Sequence, residues 1–564
     1  MRATTSTLGF LGGAVLLLLG VAACSQGETQ FEPPDIDVDE VEPGGAVSLS
    51  GQVTRTTATN LPGNGRLAAA WDDFLLPLRY AGFRAPRGMY TAACNVDGET
   101  PRVFVSANVE STVTEPPPEG ETGPLWQDYW WHGMMLEGEY RAGEGIVPLR
   151  QVSRPDCQEM RGVAVAPDCS YVAALCMKPN EESVHPSFAG NGPFDHDLTA
   201  DVDNDWIDRH PRNGGTWPEE LWLYVWDGGD IGAEPSRFVV HGSAGSSWHY
   251  MNYRLVYGDD GTLGILTKAY AGGHEGSSLM VIDRATNTFV SGRSDFWGGC
   301  GGSAGHPTQG FLAYSASTGR YATHCGGDWD NGDHENVSVG YRGIDIEGVG
   351  AKTLYRTVIN QQCCALGGPG PIVPMNDGGY MLAMTTNVDD EVTASMFEVS
   401  EHMMRARSSV ALMRVDAAGD IVWGPKYIQY PEGGALFGGW LTHAILADLG
   451  NGRYLFGYGV AGVEDPALTY TNGDDFGFVG SRYNPSEYVL FEVDENGDRV
   501  SEETVTTQVG WGGQDEMVNL GPGRVGWAYV PDPTESEGSN FDGQPPANSR
   551  ISELALFVYE SSAP

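Results

Sequence analysis

The sequence predicts an all-β chain in which seven four-stranded antiparallel sheets form one ring, closed by a strand from the N-terminal region. Three observations carry this. A hairpin signature recurs seven times. Its copies stand about 60 to 90 residues apart, the length of one four-stranded sheet plus its loops. The last copy ends one strand short of a full unit. Composition agrees: 78 glycines in 564 residues mark a chain dense in turns, and helical periodicity is nearly absent.

The first hairpin of each unit is an apolar strand, a tight turn and a second apolar strand. Its turn and second strand read Asp97-Gly98 before PRVFVSANV, Asp168-Cys169 before SYVAALCM, and Asp260-Gly261 before TLGILTKAY. They return as Thr318-Gly319 before RYATHC, Asp377-Gly378 before GYMLAMTT, Asn451-Gly452 before RYLFGYG and Pro522-Gly523 before RVGWAYV. A second hairpin follows most copies, an apolar strand ending in an acid at Asp227, Asp283, Asp416 or Asp494, with Ala418-Gly419 and Asn496-Gly497 in the last two turns. Such turns supply the positive φ that tight hairpins need. The units fall near residues 88–150, 157–240, 248–295, 305–360, 370–430, 440–505 and 514–560.

Two hairpins in succession make an antiparallel meander with strands A, B, C and D. From residue 46 onward the chain resembles a seven-bladed β-propeller, the expectation being one domain over 46–564. Stacked sandwiches or a β-helix are the competing architectures, and seven similar units with no leftover domain favour the ring. The seventh unit stops after its third strand, ELALFVYE ending at Glu560. Either Ala46 to Val53 or Leu67 to Leu78 is expected to supply the missing strand.

The N-terminus gives an address. Arg2 is the only charge ahead of an apolar run from Leu8 to Val21, followed by Val21-Ala22-Ala23-Cys24. This resembles the leader and lipobox of bacterial lipoproteins. The resemblance implies removal of residues 1–23, acyl chains on Cys24 and attachment to a membrane of the cell envelope, most naturally the outer membrane. Residues 24–45, polar, acidic and carrying Pro33, Pro34 and Pro43, read as a flexible tether. Without Cys24, eight of the nine cysteines remain. Disulfides are the natural reading for an exported chain. Positions within the units suggest Cys157–Cys176, Cys300–Cys325 and Cys94–Cys169, which leaves the adjacent Cys363 and Cys364 as a vicinal Cys363–Cys364 disulfide or as partners of other cysteines.

Charge excludes one class of partner. Against 75 Asp and Glu stand 32 Lys and Arg, a formal charge of −43, which repels phosphate backbones and rules out nucleic-acid binding. The 41% hydrophobic content rules out a disordered chain.

In a meander the A-B and C-D turns share one face, and the B-C and D-A connections share the other. Several B-C connections are long, the longest running from Lys178 to Glu219, so ligand binding is expected on that loop-rich face. Histidines gather there. His249 and His306 are expected at the starts of strand A in adjacent units, His274 and His334 in the B-C turns, and His324 at the end of a strand B. With Tyr253 and Arg254 they form a candidate catalytic set: Arg holds an anionic sugar while His or Tyr moves a proton, as a polysaccharide lyase acting on an acidic polysaccharide requires. The competing reading is structural hydrogen bonding between units. Asp201, Asp203 and Asp205 resemble the start of a calcium loop, without its usual Gly and Glu, and suggest calcium as the one candidate cofactor. Trp126, Trp130, Trp131, Trp206 and Trp217 are candidates for stacking on sugar rings. The reading favoured by the sequence is a lipid-anchored binding or scaffold module for a glycan or protein ligand, with the lyase as the enzymatic alternative.

Overall fold

The computed structural model describes residues 38–61, 89–110, 131–179, 219–242, 254–297, 306–330, 338–359, 369–387, 397–398, 408–427, 444–460, 487–506, 517–529 and 553–562, apart from short gaps inside them. They form a seven-bladed β-propeller of four-stranded antiparallel blades. Blade 1 runs Tyr90–Cys94, Arg102–Glu110, Trp131–Arg141 and Gly145–Arg154 as strands A to D. Blade 2 is Glu159–Val165, Tyr171–Pro179, Glu219–Asp227 and Ser236–Gly242. Blade 3 is Arg254–Tyr257, Thr262–Ala271 and His274–Asp283, with strand D broken into Thr288–Phe289 and Asp295–Trp297. Blade 4 is His306–Ser315, Arg320–Asp330, Ser338–Ile346 and Gly350–Ile359. Blade 5 is Pro369–Pro374, Tyr380–Asn387, Ser408–Val415 and Ile421–Tyr427. Blade 6 is Ala444–Gly450, Arg453–Val460, Glu487–Asp494 and Thr504–Thr506.

Blade 7 is built from both ends of the chain. Val518–Asn519, Arg524–Tyr529 and Leu554–Glu560 are its strands A to C, and Val53–Thr59 is its strand D. The closing strand thus begins where the first sequence candidate, Ala46 to Val53, ends; the second candidate lies outside the described residues. Threonines conceal this strand from a search for apolar runs. Only Val53, Thr56 and Ala58 of VTRTTAT are buried, and β-branched threonine suits an outer strand. Part of the expected tether is also sheet. Val38–Glu40 pairs with strand D of blade 1, and Glu42–Pro43 and Val47–Ser48 pair with Val53–Thr59. The seven A strands touch in cyclic order, with blade 7 returning to blade 1.

Each blade is packed on both faces, so its inner strands are near-continuously apolar. On strand B of blade 1, Val103, Val105, Ala107 and Val109 pack toward Leu554, Leu556 and Val558 of blade 7. From the other face of blade 1, Phe104, Met135 and Val152 meet Met160, Val163 and Val165 of blade 2. Asn108 locks the same seam, its amide nitrogen donating to the Met160 carbonyl at 3.2 Å and its amide oxygen accepting from the Met160 N–H at 2.7 Å.

Candidate functional site

On the turn face, acids cap the hairpins. Asp168, Asp260, Asp377 and Asp448 each accept the N–H two residues ahead at 2.7 to 3.1 Å, and Asn519 does the same in blade 7. Hydrogen bonds from the Ser170 hydroxyl and amide hold the Asp168 carboxyl below its usual range. In the C-D turns, Asp416 accepts from the Ala418 and Asp420 amides, and Asp494 from those of Asn496 and Asp498. The recurring acid at the end of strand C is therefore a turn device. Cys169 occupies a left-handed position, φ 57°, where other blades place Gly, as Gly261 does at 78°.

The same face carries the cations. From strand D of one blade a cation reaches an acid in the C-D turn of the next: Arg150 to Asp230 at 2.7 Å, Lys352 to Asp420 at 2.5 Å and Lys426 to Asp498 at 2.7 Å. Arg293, between the two halves of the broken strand in blade 3, binds Glu347 of blade 4 at 2.6 Å, Asp260 at 2.7 Å and the Gly319 carbonyl at 3.1 Å. Arg414 joins Asp377 to the Glu495 carbonyl of blade 6. At the ring closure Thr504 donates to Gln52 and Thr56 to the Ile146 carbonyl, and Tyr140 of blade 1 donates to Glu560 of blade 7 beneath the Arg524 guanidinium. This seam girdle has no signature in the sequence, because its partners are a whole blade apart and each cation looks like an ordinary surface residue.

On the loop-rich face, B-C connections emerge over residues 111–130, 180–218, 388–407, 461–486 and 530–553. By backbone register His274 opens strand C of blade 3 opposite Ala271, and His306 opens strand A of blade 4 opposite Asp328. Both positions lie at the loop-rich ends of adjacent blades. Arg254, the first residue of strand A in blade 3, is fully buried. Its guanidinium carbon lies 5.2 Å from the Tyr90 ring centre and 4.9 Å from that of Phe311, so the innermost strands of blades 1, 3 and 4 converge on it. His249, Tyr253, His334, Asp201, Asp203, Asp205, Cys24 and four of the candidate tryptophans, Trp126, Trp130, Trp206 and Trp217, lie outside the described residues, while Trp131 begins strand C of blade 1.

His324 differs from its expected place. Strand B of blade 4 continues to Asp330, so His324 is mid-strand, fully buried, with Nδ1 2.8 Å from the Gly370 carbonyl of blade 5. It is a seam residue. A histidine that the sequence did not single out, His132, is also buried, with Nε2 2.8 Å from the Ser153 hydroxyl and no partner for Nδ1. Burial pushes its pKa down to about 4, so the ring is neutral at pH 7.

Among the described residues two disulfides have both of their cysteines. Cys94–Cys169 ties strand A of blade 1 to the A-B turn of blade 2, and Cys157–Cys176 lies within the opening of blade 2. Cys325 is disulfide-bonded, while Cys300, Cys363 and Cys364 lie outside the described residues. Among the described residues no group of three His, Cys, Asp or Glu side chains is placed to hold a metal ion, and no helix is long and apolar enough to cross a membrane.

No family model matches the chain, and no curated protein matches it. Among solved structures it is similar to a polysaccharide lyase, with a TM-score of 0.41 and 8% identity over 93% of this chain and 100% of the other. It is also similar to an α-L-arabinofuranosidase of Fusarium graminearum in complex with arabinobiose, with a TM-score of 0.34 and 9% identity over 88% of this chain and 97% of the other.

Proposed function

We propose that this chain is an exported, lipid-anchored binding module that takes a glycan or protein ligand on its loop-rich face. The observation that carries this reading is the division of labour between the faces. Turn-face acids and cations are engaged with one another or with backbone, whereas the long connections all leave from the opposite rim. Long loops on a rigid scaffold are where recognition concentrates. Two disulfides fit an oxidising compartment.

The lyase reading draws on one feature, the strand-end positions of His274 and His306 in adjacent blades. Against it stands Arg254, whose guanidinium is enclosed by aromatic rings and is not displayed to a substrate.

The test incubates the soluble chain, residues 25–564, with a panel of acidic and neutral polysaccharides. Binding and the ultraviolet absorbance of unsaturated products are followed together. Binding without product is expected; product formation establishes the lyase instead. Absence of both signals moves the ligand from glycan to protein, and ligand binding that survives replacement of the loops at 180–218 and 461–486 overturns the placement of the site.

A further inference from the structure

The ring closes where Val53–Thr59 pairs with Leu554–Glu560, joining nearly the two ends of the chain. Next to it the Gln52 carbonyl accepts from the Glu560 N–H, and the other strand pairing of the described residues in 38–59 is with one another or with blade 1. Glu42–Pro43 and Val47–Ser48 fold back on Val53–Thr59, a local hairpin, and Val38–Glu40 adds to strand D of blade 1 with Asp39 opposite Gln151. Side chains reinforce the attachment: Gln151 donates to the Asn60 carbonyl and Thr56 to the Ile146 carbonyl. Val41, Ala58 and Leu61 share one apolar cluster with Val109, Met134 and Ile146 of blade 1 and with Leu554, Leu556 and Val558 of blade 7, while Val53 packs with Trp527 and Phe557.

The two sets of contacts differ sharply in the length of chain they enclose. The hairpin closes loops of under 20 residues and the strap one of about 110, whereas pairing with Leu554–Glu560 encloses about 500, and closure entropy rises, slowly, with loop length. We propose that residues 38–59 are a receiver held on blade 1: the strap 38–48 presents Val53–Thr59 as a ready-made edge, and the last strand of the chain docks on it to shut the ring. The ring then opens at this one join, with the receiver remaining on blade 1. Other blades have no equivalent join, because their four strands follow one another in sequence.

Native-state hydrogen exchange on the full chain after the leader, followed by mass spectrometry at rising sub-denaturing denaturant, tests this. Amides of Arg524–Tyr529 and Leu554–Glu560 are expected to open in a step that leaves 38–48 and 145–154 protected. If 38–48 opens with or before Leu554–Glu560, the proposal is overturned. Asp39→Pro, which removes an N–H from the strap and fixes its φ, is expected to speed exchange in Val53–Thr59 several-fold and leave Arg320–Asp330 unchanged. Unaltered exchange at Val53–Thr59 overturns the proposal, and so does an equal acceleration in Arg320–Asp330, because the strap would then support the whole ring and not one join.

Discussion

Asn108 of blade 1 and Met160 of blade 2 exchange two hydrogen bonds, the Asn108 amide serving as both donor and acceptor for one residue's backbone. Both groups are buried, so a side chain does here what a neighbouring strand does within a blade. Asn108→Leu leaves a buried N–H and a buried carbonyl without partners. The expected loss is about 3 kcal/mol of unfolding free energy, read as a lower denaturation midpoint at unchanged slope. A loss below about 1 kcal/mol would show that water replaces the amide at this seam.

The girdle predicts unequal contributions from its cations. Lys352 and Asp420 are both substantially exposed, so Lys352→Ala is expected to cost no more than about 0.5 kcal/mol. Arg293 is more enclosed and serves two carboxylates and a carbonyl. Arg293→Ala is expected to cost about 2 kcal/mol. Equal effects from the two substitutions, measured by denaturation in the same buffer, would refute this ordering.

His132 makes stability depend on pH. Its folded-state pKa, about 4, lies below the 6.5 of an ordinary imidazole, so the unfolded chain binds more protons between those values. The stabilisation is complete above about pH 6.5 and is lost as pH falls toward 4, to a limit of about 3 kcal/mol. Against a neutral replacement, His132→Gln, the stability advantage of the wild type should therefore shrink as the pH falls through that window. The check is a pH series of denaturation midpoints, and a difference that stays constant from pH 7 to 4 would sink the assignment.

The two disulfides enclose different lengths of chain, with sequence separations of 75 and 19. By chain entropy their removal costs about 4 and about 3 kcal/mol respectively. Paired serine substitutions, Cys94→Ser with Cys169→Ser and Cys157→Ser with Cys176→Ser, should therefore lower stability in that order. The reverse order would mean that packing around the sulfurs outweighs the entropy of the unfolded chain.

Much of the ring was legible because its information is local. Asp377-Gly378 and Asn451-Gly452 announce tight turns on their own, and runs such as VFVSANV announce strands buried on both faces. The pairings Cys94–Cys169 and Cys157–Cys176 followed from unit positions once the meander was assumed. That a strand from the N-terminal region closes the ring is legible in the missing fourth strand of the last unit, but its bounds, Val53–Thr59, are not, because its partner lies at the other end of the chain and its threonines carry little apolar signal. His324 was displaced for a related reason. Strand B of blade 4 extends to Asp330 because Ser338–Ile346 pairs along its whole length, a property of two segments together.

The sequence by itself determined the number of blades, the position of the tight turns and the excess of acid over base, since each is written in contiguous residues. Tertiary structure alone decided which strand closes the ring and how the few cations are used. Arg150, Arg293, Lys352 and Lys426 became seam clamps only when folding brought the next blade's turn within hydrogen-bond reach. It also decided that Arg254 is enclosed by Tyr90 and Phe311, because residues from three blades meet only after the innermost strands have closed around one axis.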